Sequence, residues 1–256
     1  MLSKNQIKYI TSLHLRKYRD LQRVFIAEGI KLVLELIKSH FTITCIYFDP
    51  SKAANATGEF LATGIPVMEI TEEEMKKIST LASPGPVLAL VKMPDDLPFP
   101  HTPPTGLVLV LDDIRDPGNL GTIIRVADWF GISHVITSPH SVDIYNPKVV
   151  QSTMGSLARV KVTQMPLISY LSALPEDTPV YGTFLEGKNI YREELDASGV
   201  IIIGNESKGI SPPVASFVNR KIFIPPWAPE GHAESLNASM AAAIVCSEFR
   251  RRMLPG

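Results

Sequence analysis

The sequence of 256 residues has two cysteines, no long apolar run and no metal-binding pattern, and each absence excludes a class of protein. Cys45 and Cys246 lie among apolar neighbours, so we expect buried, reduced thiols rather than a disulfide or a nucleophile. The six histidines have no metal-ligand spacing, so no metal site is expected. No apolar run approaches the roughly 20 residues that span a bilayer, and the polar N-terminus lacks a signal-peptide core. We expect a cytoplasmic protein without membrane contact.

Two common nucleotide-binding loops are also absent. There is no Gly-x-x-x-x-Gly-Lys-Ser/Thr phosphate loop, and no Gly-x-Gly-x-x-Gly turn follows a predicted strand. An ordinary Rossmann-type methyltransferase needs a glycine-rich turn after its first strand. The turn at 116–121 has a different spacing, which indicates a different geometry.

Positive charge is concentrated near the N-terminus, although the net charge of the chain is only −1. Residues 1–31 hold seven basic and two acidic side chains. A clustered basic face attracts phosphate even when the total charge is near zero. This pattern indicates a nucleic-acid contact, while the simpler alternative is a solvated helix face. The residues that we expect to contact nucleic acid are Lys4, Lys8, Arg16, Lys17, Arg19 and Arg23.

A proline-rich stretch divides the chain into two parts. Five prolines fall within 93–104, and proline neither continues a helix nor donates to a sheet. We therefore predict a small domain at 1–94, a linker at 95–105 and a larger domain at 106–256. In the small domain, capping pairs and hydrophobic periodicity predict a mixture of helices and strands. They include helices that begin after Ser3 and Thr71, a helix at 27–39, and strands at 42–48, 66–70 and 87–92.

The larger domain alternates apolar strands with helices. This alternation predicts an α/β fold with a parallel sheet covered on both faces. The predicted strands are 107–111, 134–137, 160–162, 180–184, 200–203 and 221–224. The predicted helices are 122–130, 147–157 and 235–252.

Three polar segments follow predicted strands of the larger domain. They are 111–125, 203–210, and 224–225 followed by 235–239. Ligands bind beyond the carboxyl ends of strands in open parallel sheets. One such segment alone would be an ordinary turn between a strand and a helix. Together, however, their polar side chains can reach one crevice, and these side chains are Asn119, Arg125, Glu206, Ser235 and Asn237.

In this order the three segments resemble the motifs of the SpoU-type (TrmH-like) RNA 2'-O-ribose methyltransferases. The resemblance implies a trefoil-knotted parallel-sheet domain, S-adenosylmethionine as cofactor, and a homodimer. Lys17-Tyr18-Arg19 and the segment 25–29 resemble, more loosely, the small ribosomal-protein-like RNA-binding domain that many members carry. The implied partner is RNA, and the front domain favours ribosomal over transfer RNA.

The resemblance also implies roles for individual residues. It makes Asn119, Arg125, Glu206, Ser235 and Asn237 catalytic positions and places the backbone of Gly204, Ile224 and Leu236 around the cofactor. No metal is required for methyl transfer to a hydroxyl.

The chemistry of three of these side chains leaves specific expectations. A guanidinium is almost never deprotonated at neutral pH, so we expect Arg125 to bind a phosphate and orient the ribose hydroxyl. Glu206 would hold Arg125 or the amide of Asn237. Ser235 could equally be the N-cap of the last helix. Asparagine is a poor residue inside a helix, which favours a functional role for Asn237.

Two features depart from the family pattern. Ser207 stands where the second motif usually has glycine, and it would be strained if the position needs a positive φ. The stretch 226–234 is longer than in many relatives and could form part of the substrate mouth.

Two other functions stay open. One is a non-catalytic RNA-binding protein of the same fold, and the complete polar set argues against it. The other is a knotted methyltransferase that acts on a transfer-RNA ribose or on a base. The Ser235-Leu236-Asn237 triplet fits ribose better than a base.

Overall fold

The structure is a computed structural model of the chain, and it describes residues 1–95, 105–228 and 233–253. The helices are α1 (Lys4–Ser12), α2 (Arg16–Gln22), α3 (Ile30–Ile37), α4 (Ala54–Leu61), α5 (Glu72–Ile78), α6 (Pro117–Trp129), α7 (Pro147–Ser152), α8 (Leu167–Ser172), α9 (Pro212–Ala215) and α10 (Ala238–Arg252). The strands are β1 (Val24–Glu28), β2 (Ile43–Phe48), β3 (Val67–Glu69), β4 (Val87–Lys92), β5 (Leu107–Leu111), β6 (His134–Thr137), β7 (Lys161–Gln164), β8 (Val180–Asn189), β9 (Gly199–Ile203) and β10 (Arg220–Phe223).

These residues divide into two compact units. The first holds 1–95 and 143–159, and the second holds 105–142, 160–228 and 233–253. The predicted linker at 95–105 lies almost entirely outside the described residues. The predicted boundaries 1–94 and 106–256 therefore stay a prediction, and the placement of 143–159 in the first unit is a feature that the sequence did not indicate.

The first unit contains a mixed four-stranded sheet in the order β1-β4-β2-β3. Strand β4 runs antiparallel to β1 and β2, and β2 runs parallel to β3. The predicted capping boxes at the starts of α1 and α5 are confirmed. The mixed architecture expected for the small domain is therefore correct.

The predicted helix at 27–39 is wrong at its start. Every residue from Val24 to Glu28 is buried, and these residues pair with β4 as a strand. Gly29 then adopts a φ of +101°, a conformation that favours glycine, and α3 begins only at Ile30. The helical periodicity is confirmed over 30–37, and the predicted start at 27 lies three residues too early.

The segment 143–159 joins the first unit through its own side chains. The ring of Tyr145 stacks on Phe25 with the ring centroids 4.7 Å apart. The guanidinium of Arg19 pairs with the carboxylate of Asp143 at 2.5 Å. The predicted helix at 147–157 ends early at Ser152, because Met154 and Gly155 adopt positive φ values of +51° and +99°. One 3-10 turn, Ser156–Ala158, follows it.

The second unit is built on a six-stranded sheet in the order β10-β8-β9-β5-β6-β7, and every neighbouring pair is parallel. Strands β5 and β9 lie at its centre and are buried along their whole length. Such uninterrupted apolar strands are typical of a parallel sheet covered on both faces. The predicted α/β class is confirmed, and the trefoil knot stays a prediction.

Several element ends in the second unit differ from the sequence prediction. Helix α6 begins at Pro117 instead of 122, because Asp116 caps it and proline suits the first turn. Strand β8 continues to Asn189. Helix α10 begins at Ala238, because Asn237 rather than Ser235 is its N-cap.

The two cysteines are free. Cys246 is buried as expected, whereas Cys45 is only partly buried. Burial raises the pKa of the Cys246 thiol to about 12. Since the thiolate is the nucleophilic form, this cysteine is not a nucleophile at neutral pH. No helix within the described ranges is long and apolar enough to cross a membrane.

Candidate functional site

Three of the predicted site residues lie together beyond the carboxyl ends of the central strands. The amide nitrogen Nδ2 of Asn119 donates to Oε1 of Glu206 at 2.5 Å. The Nδ2 of Asn237 donates to Oδ1 of Asn119 at 2.9 Å. One side chain from each of the three sequence motifs therefore enters a single hydrogen-bonded chain.

The direction of this chain is set by the cap of helix α10. The Oδ1 of Asn237 accepts the backbone N–H groups of Ser239 at 2.9 Å and Met240 at 3.4 Å. With its oxygen used in this way, Asn237 can only donate to Asn119. Asn119 in turn directs its own NH₂ group to the carboxylate of Glu206. Glu206 thus holds Asn119, and neither of its two expected partners, Arg125 and the Asn237 amide.

The turn of the first motif has an unusual backbone that two buried serines hold in place. Asp113 adopts a φ of +57°, which is uncommon for a residue other than glycine. Its N–H donates to Oγ of Ser138 at 2.9 Å, and the N–H of Ile114 donates to Oγ of Ser141 at 3.2 Å. The turn therefore has a fixed shape, and it leads into Asp116, whose carboxylate accepts the N–H of Asn119 at 2.8 Å.

Two side chains that we did not predict fasten the second motif to the first. Asn205 donates to the carbonyl of Asp113 at 2.8 Å and accepts the backbone N–H of Ser207 at 3.0 Å. The buried Asp112 accepts the N–H of Ser211 at 2.8 Å. Sequence signals for both existed: an asparagine at the start of a turn, and an acid directly after an apolar strand. These contacts fix the loop that carries Glu206.

Gly204 allows the second motif to fold back tightly on itself. A Cβ at this position would lie 2.3 Å from the carbonyl carbon of Gly209 and 2.4 Å from the nitrogen of Ile210. Both neighbours are backbone atoms, so a side chain cannot be accommodated by a rotamer change.

We expect Gly204→Ala to lower the free energy of unfolding by about 1–3 kcal/mol, the usual range for overpacking, and to weaken cofactor binding. Urea denaturation and calorimetry measure the two effects. Gly106→Ala is the matched control, because a Cβ at Gly106 meets no atom within 4 Å. Equal stability and equal cofactor affinity in the two variants would contradict the close backbone approach at Gly204.

Ser207 is not strained. It is absent from the described residues with positive φ, and the positive φ of this loop falls on Gly209, at +68°. The departure from the family pattern at Ser207 therefore has no backbone cost.

Gly204, Ile224 and Leu236 fit the role of a cofactor cradle. All three lie just beyond strand ends or before α10, and none is fully buried. Their backbone N–H groups form no hydrogen bond with other described residues. Free main-chain donors beside apolar side chains suit a nucleoside ligand, which presents flat apolar faces and polar edges.

Arg125 and Ser235 lie outside the amide chain. Arg125 is exposed on α6 and forms no ion pair with residues in the described ranges. Ser235 is exposed, and its hydroxyl reaches the carbonyl of Glu206 only at 3.5 Å, the limit of a hydrogen bond. Both side chains are thus available to a ligand.

Most of the basic residues expected to contact nucleic acid are exposed. They are Lys4, Lys8, Arg16, Lys17 and Arg23. Arg19 is the exception, since its side chain is 2% exposed and its guanidinium donates to the carbonyls of Leu13 and His14 as well as to Asp143. The prediction for Arg19 is therefore corrected: it is a structural residue that RNA cannot reach.

The proposed substrate mouth at 226–234 is only partly described, because 229–232 lie outside the described residues. Trp227 is fully exposed. Within the described ranges no group of three or more histidine, cysteine, aspartate or glutamate side chains is placed to hold a metal ion.

Known proteins match both units of the chain. The SpoU rRNA Methylase family matches residues 106–247, and the MRM3-like substrate binding domain matches residues 4–89. The 23S rRNA (guanosine(2553)-2'-O)-methyltransferase RlmP of Bacillus subtilis is 32% identical over 251 residues, which cover 97% of each chain.

Solved structures agree over the full length. A TrmH-family protein from Porphyromonas gingivalis is 39% identical, with a TM-score of 0.87 over 98% of this chain and 99% of its own. An rRNA methyltransferase from Sinorhizobium meliloti, solved with S-adenosylmethionine bound, is 28% identical, with a TM-score of 0.85 over 100% of this chain and 97% of its own. The chain belongs to the SpoU rRNA methylase family.

Proposed function

We propose that this protein transfers a methyl group from S-adenosylmethionine to a ribose 2'-hydroxyl of ribosomal RNA. The observation that carries this proposal is the chain from Asn237 through Asn119 to Glu206, which joins one polar side chain from each of three motifs. The relatives add support, because two of them are named as rRNA 2'-O-methyltransferases. The large-subunit RNA is the substrate of both of these relatives, and we propose the same class here.

The cofactor supplies a methyl group that is already activated by its sulfonium. The residues of the chain must therefore bring the ribose oxygen into line and accept its proton. Backbone groups at Gly204, Ile224 and Leu236 would hold the cofactor.

Asn119 and Glu206 form the polar wall of the site. Asn119 uses both ends of its amide, so its orientation is fixed before substrate binds. Glu206 uses one carboxylate oxygen for Asn119, which leaves the other to accept a hydrogen bond from the substrate hydroxyl and to take up its proton when the methyl group is transferred. Because these two side chains are already oriented, they need no reorganisation during the reaction.

Arg125 supplies the contact with RNA. Its exposed guanidinium binds the phosphate next to the target ribose through a planar, bidentate pair of hydrogen bonds. The hydroxyl is oriented by this grip, and Arg125 itself stays protonated. Ser235 is exposed, and its hydroxyl contributes a further hydrogen bond to the substrate.

We propose a homodimer for the active enzyme. Helices α6 and α10 pack against each other, and each exposes a large apolar side chain. Trp129 is 84% exposed and Met240 is 58% exposed. A second copy of the chain would cover such surface, and sedimentation velocity measures the assembly.

The cytoplasm is the compartment that we assign, because thiols such as those of Cys45 and Cys246 stay reduced there.

Methyl transfer to ribose can be distinguished from transfer to a base by alkaline hydrolysis of the labelled RNA. The protein would be incubated with unmodified ribosomal-RNA transcripts and methyl-labelled S-adenosylmethionine. A 2'-O-methyl group blocks cleavage of the next phosphodiester, so label is expected in alkali-stable dinucleotides. Label in mononucleotides would indicate a base methyltransferase, and the absence of label with every ribosomal RNA would favour a non-catalytic RNA-binding protein.

Cofactor binding is expected without RNA. The proposed cradle consists of backbone groups of the chain itself, and RNA contributes none of them. Titration calorimetry should give a dissociation constant in the micromolar range, about −8 kcal/mol, for S-adenosylmethionine or its demethylated product. A folded protein that binds neither would contradict the cofactor assignment.

A further inference from the structure

Helices α1 and α2 leave an open groove on the first unit, and its lining holds none of the residues assigned to methyl transfer. Its lining includes Asn5, Lys8, Tyr9, Tyr18, Leu21 and Gln22. Tyr9 and Tyr18 are 38% and 37% exposed, and Leu21 is 70% exposed. Large apolar side chains are therefore open to solvent on the same surface as the basic cluster.

The charge of this surface suits a phosphate backbone. Lys4 and Lys8 lie one turn apart on α1, and neither side chain forms an ion pair within the described part of the chain. The Nζ of Lys17 lies 6.0 Å from the ring centroid of Tyr18. Arg16, by contrast, pairs with Asp20 at 3.4 Å. Lys8 thus lines the groove, Lys4 lies one turn before it on α1, Lys17 lies over a ring of the lining, and none of the three has a carboxylate partner among the described residues.

The groove also presents groups that can hydrogen-bond to the edge of a base. The side-chain amides of Asn5 and Gln22 form no hydrogen bond with described residues. The hydroxyls of Thr11 and Ser12 are already used, because they donate to the carbonyls of Ile7 and Tyr9 at 2.8 and 2.6 Å. The two amides can therefore donate to and accept from the edge of a base at the same time.

We propose that this groove binds an unpaired nucleotide of the substrate RNA, whose base stacks on Tyr9 or Tyr18 and whose phosphates contact Lys4 and Lys8. Single-stranded RNA is recognised by stacking on aromatic rings and by contacts to base edges, whereas in a duplex the base faces are stacked and the Watson–Crick edges are paired. The groove therefore selects an unpaired nucleotide of the substrate. This proposal rests on the proposed RNA substrate.

The test compares binding of the full chain to an unstructured uridine decamer and to an RNA duplex of the same length by fluorescence anisotropy. The wild type should prefer the decamer. Tyr9→Leu with Tyr18→Leu should weaken decamer binding roughly tenfold or more, since stacking contributes substantially for each base. Tyr9→Phe with Tyr18→Phe should bind as the wild type does, because a phenyl ring still stacks. Tyr191→Leu, a change of another exposed tyrosine, is the matched control.

A second pair of variants covers the case in which the leucine variant does not fold. Lys4→Gln with Lys8→Gln should flatten the plot of log affinity against log salt by about 0.7 for each lost phosphate contact. Lys38→Gln, a change of an exposed lysine elsewhere in the unit, should leave the slope unchanged. The proposal would be overturned if the tyrosine variants bound the decamer as the wild type does and the lysine variant kept the salt slope of the wild type. The groove would then be assigned to contact with a protein.

These outcomes are independent of the methylation reaction. Tyrosine-dependent decamer binding by a chain that methylates no RNA would leave the groove assignment intact and contradict the proposed reaction. Methylation of ribosomal RNA together with tyrosine-independent binding would support the reaction and overturn the groove assignment.

Discussion

Replacing Arg125 with alanine is expected to reduce the rate of RNA methylation by roughly a hundredfold or more, the effect of losing a transition-state contact of a few kcal/mol. Arg125 is exposed on α6 and has no ion-pair partner in the described part of the chain. Its guanidinium is therefore free for a phosphate, and its loss should leave cofactor affinity nearly unchanged. Single-turnover kinetics and calorimetry measure the two quantities.

The lysine variant separates charge from geometry at this position. Arg125→Lys should not restore activity, because an ammonium group lacks the planar fork that grips a phosphate. Arg192→Ala, which removes another exposed charge from the second unit, should keep normal turnover. Near-normal turnover in Arg125→Ala would remove this residue from the mechanism.

The sequence was sufficient to predict the parallel sheet and three of the side chains that meet beyond its strand ends, Asn119, Glu206 and Asn237. Strands such as β5 and β9 are apolar throughout, and their carboxyl ends necessarily bring the following turns together. The sequence was not sufficient to predict the hydrogen-bond partners of these side chains. The sequence predicts that Glu206 holds Arg125 or the Asn237 amide. In the structure the cap of α10 uses the Oδ1 of Asn237, so the NH₂ group of Asn237 donates to Asn119, and Asn119 is the residue that donates to Glu206.

The misplaced element boundaries have a common physical cause. Buried strands and buried helix faces give similar short apolar runs, so Val24–Glu28 could be identified as a strand only through its pairing with β4. The end of α7 depended on the positive φ values at Met154 and Gly155. Such information lies in tertiary contacts, which a single sequence does not contain.

The role of Arg19 also depends on tertiary contacts, and it has a measurable effect on stability. Charge counting placed it among the RNA contacts with Lys17, its neighbour in the chain. The structure instead buries Arg19, with Nη2 at 2.5 Å from the carboxylate of Asp143 and Nη1 at 2.8 and 2.9 Å from two carbonyls. The side chain of Asp143 is itself only 11% exposed. One arginine thus ties the segment 143–159 to α1 and α2.

We expect Arg19→Met to lower the free energy of unfolding by about 3–5 kcal/mol, since removing one partner leaves a buried charge without compensation. Asp143→Asn keeps the acceptor that binds the N–H of Tyr145 at 3.0 Å but removes the charge. The double variant should therefore be less destabilised than the sum of the single changes, with a coupling of about 0.5–3 kcal/mol. Urea denaturation of all four proteins measures this cycle.

Lys17→Gln is the control that separates structure from RNA binding. Lys17 is exposed, so its loss should change stability by no more than about 0.5 kcal/mol while it weakens RNA binding at low salt. The two neighbours should therefore give opposite results: Arg19→Met changes stability, and Lys17→Gln changes RNA affinity. If Arg19→Met kept full stability and lost RNA affinity as Lys17→Gln does, Arg19 would be an RNA contact after all. The segment 143–159 would then be held by its apolar side chains, such as Tyr145 on Phe25, and not by the buried ion pair.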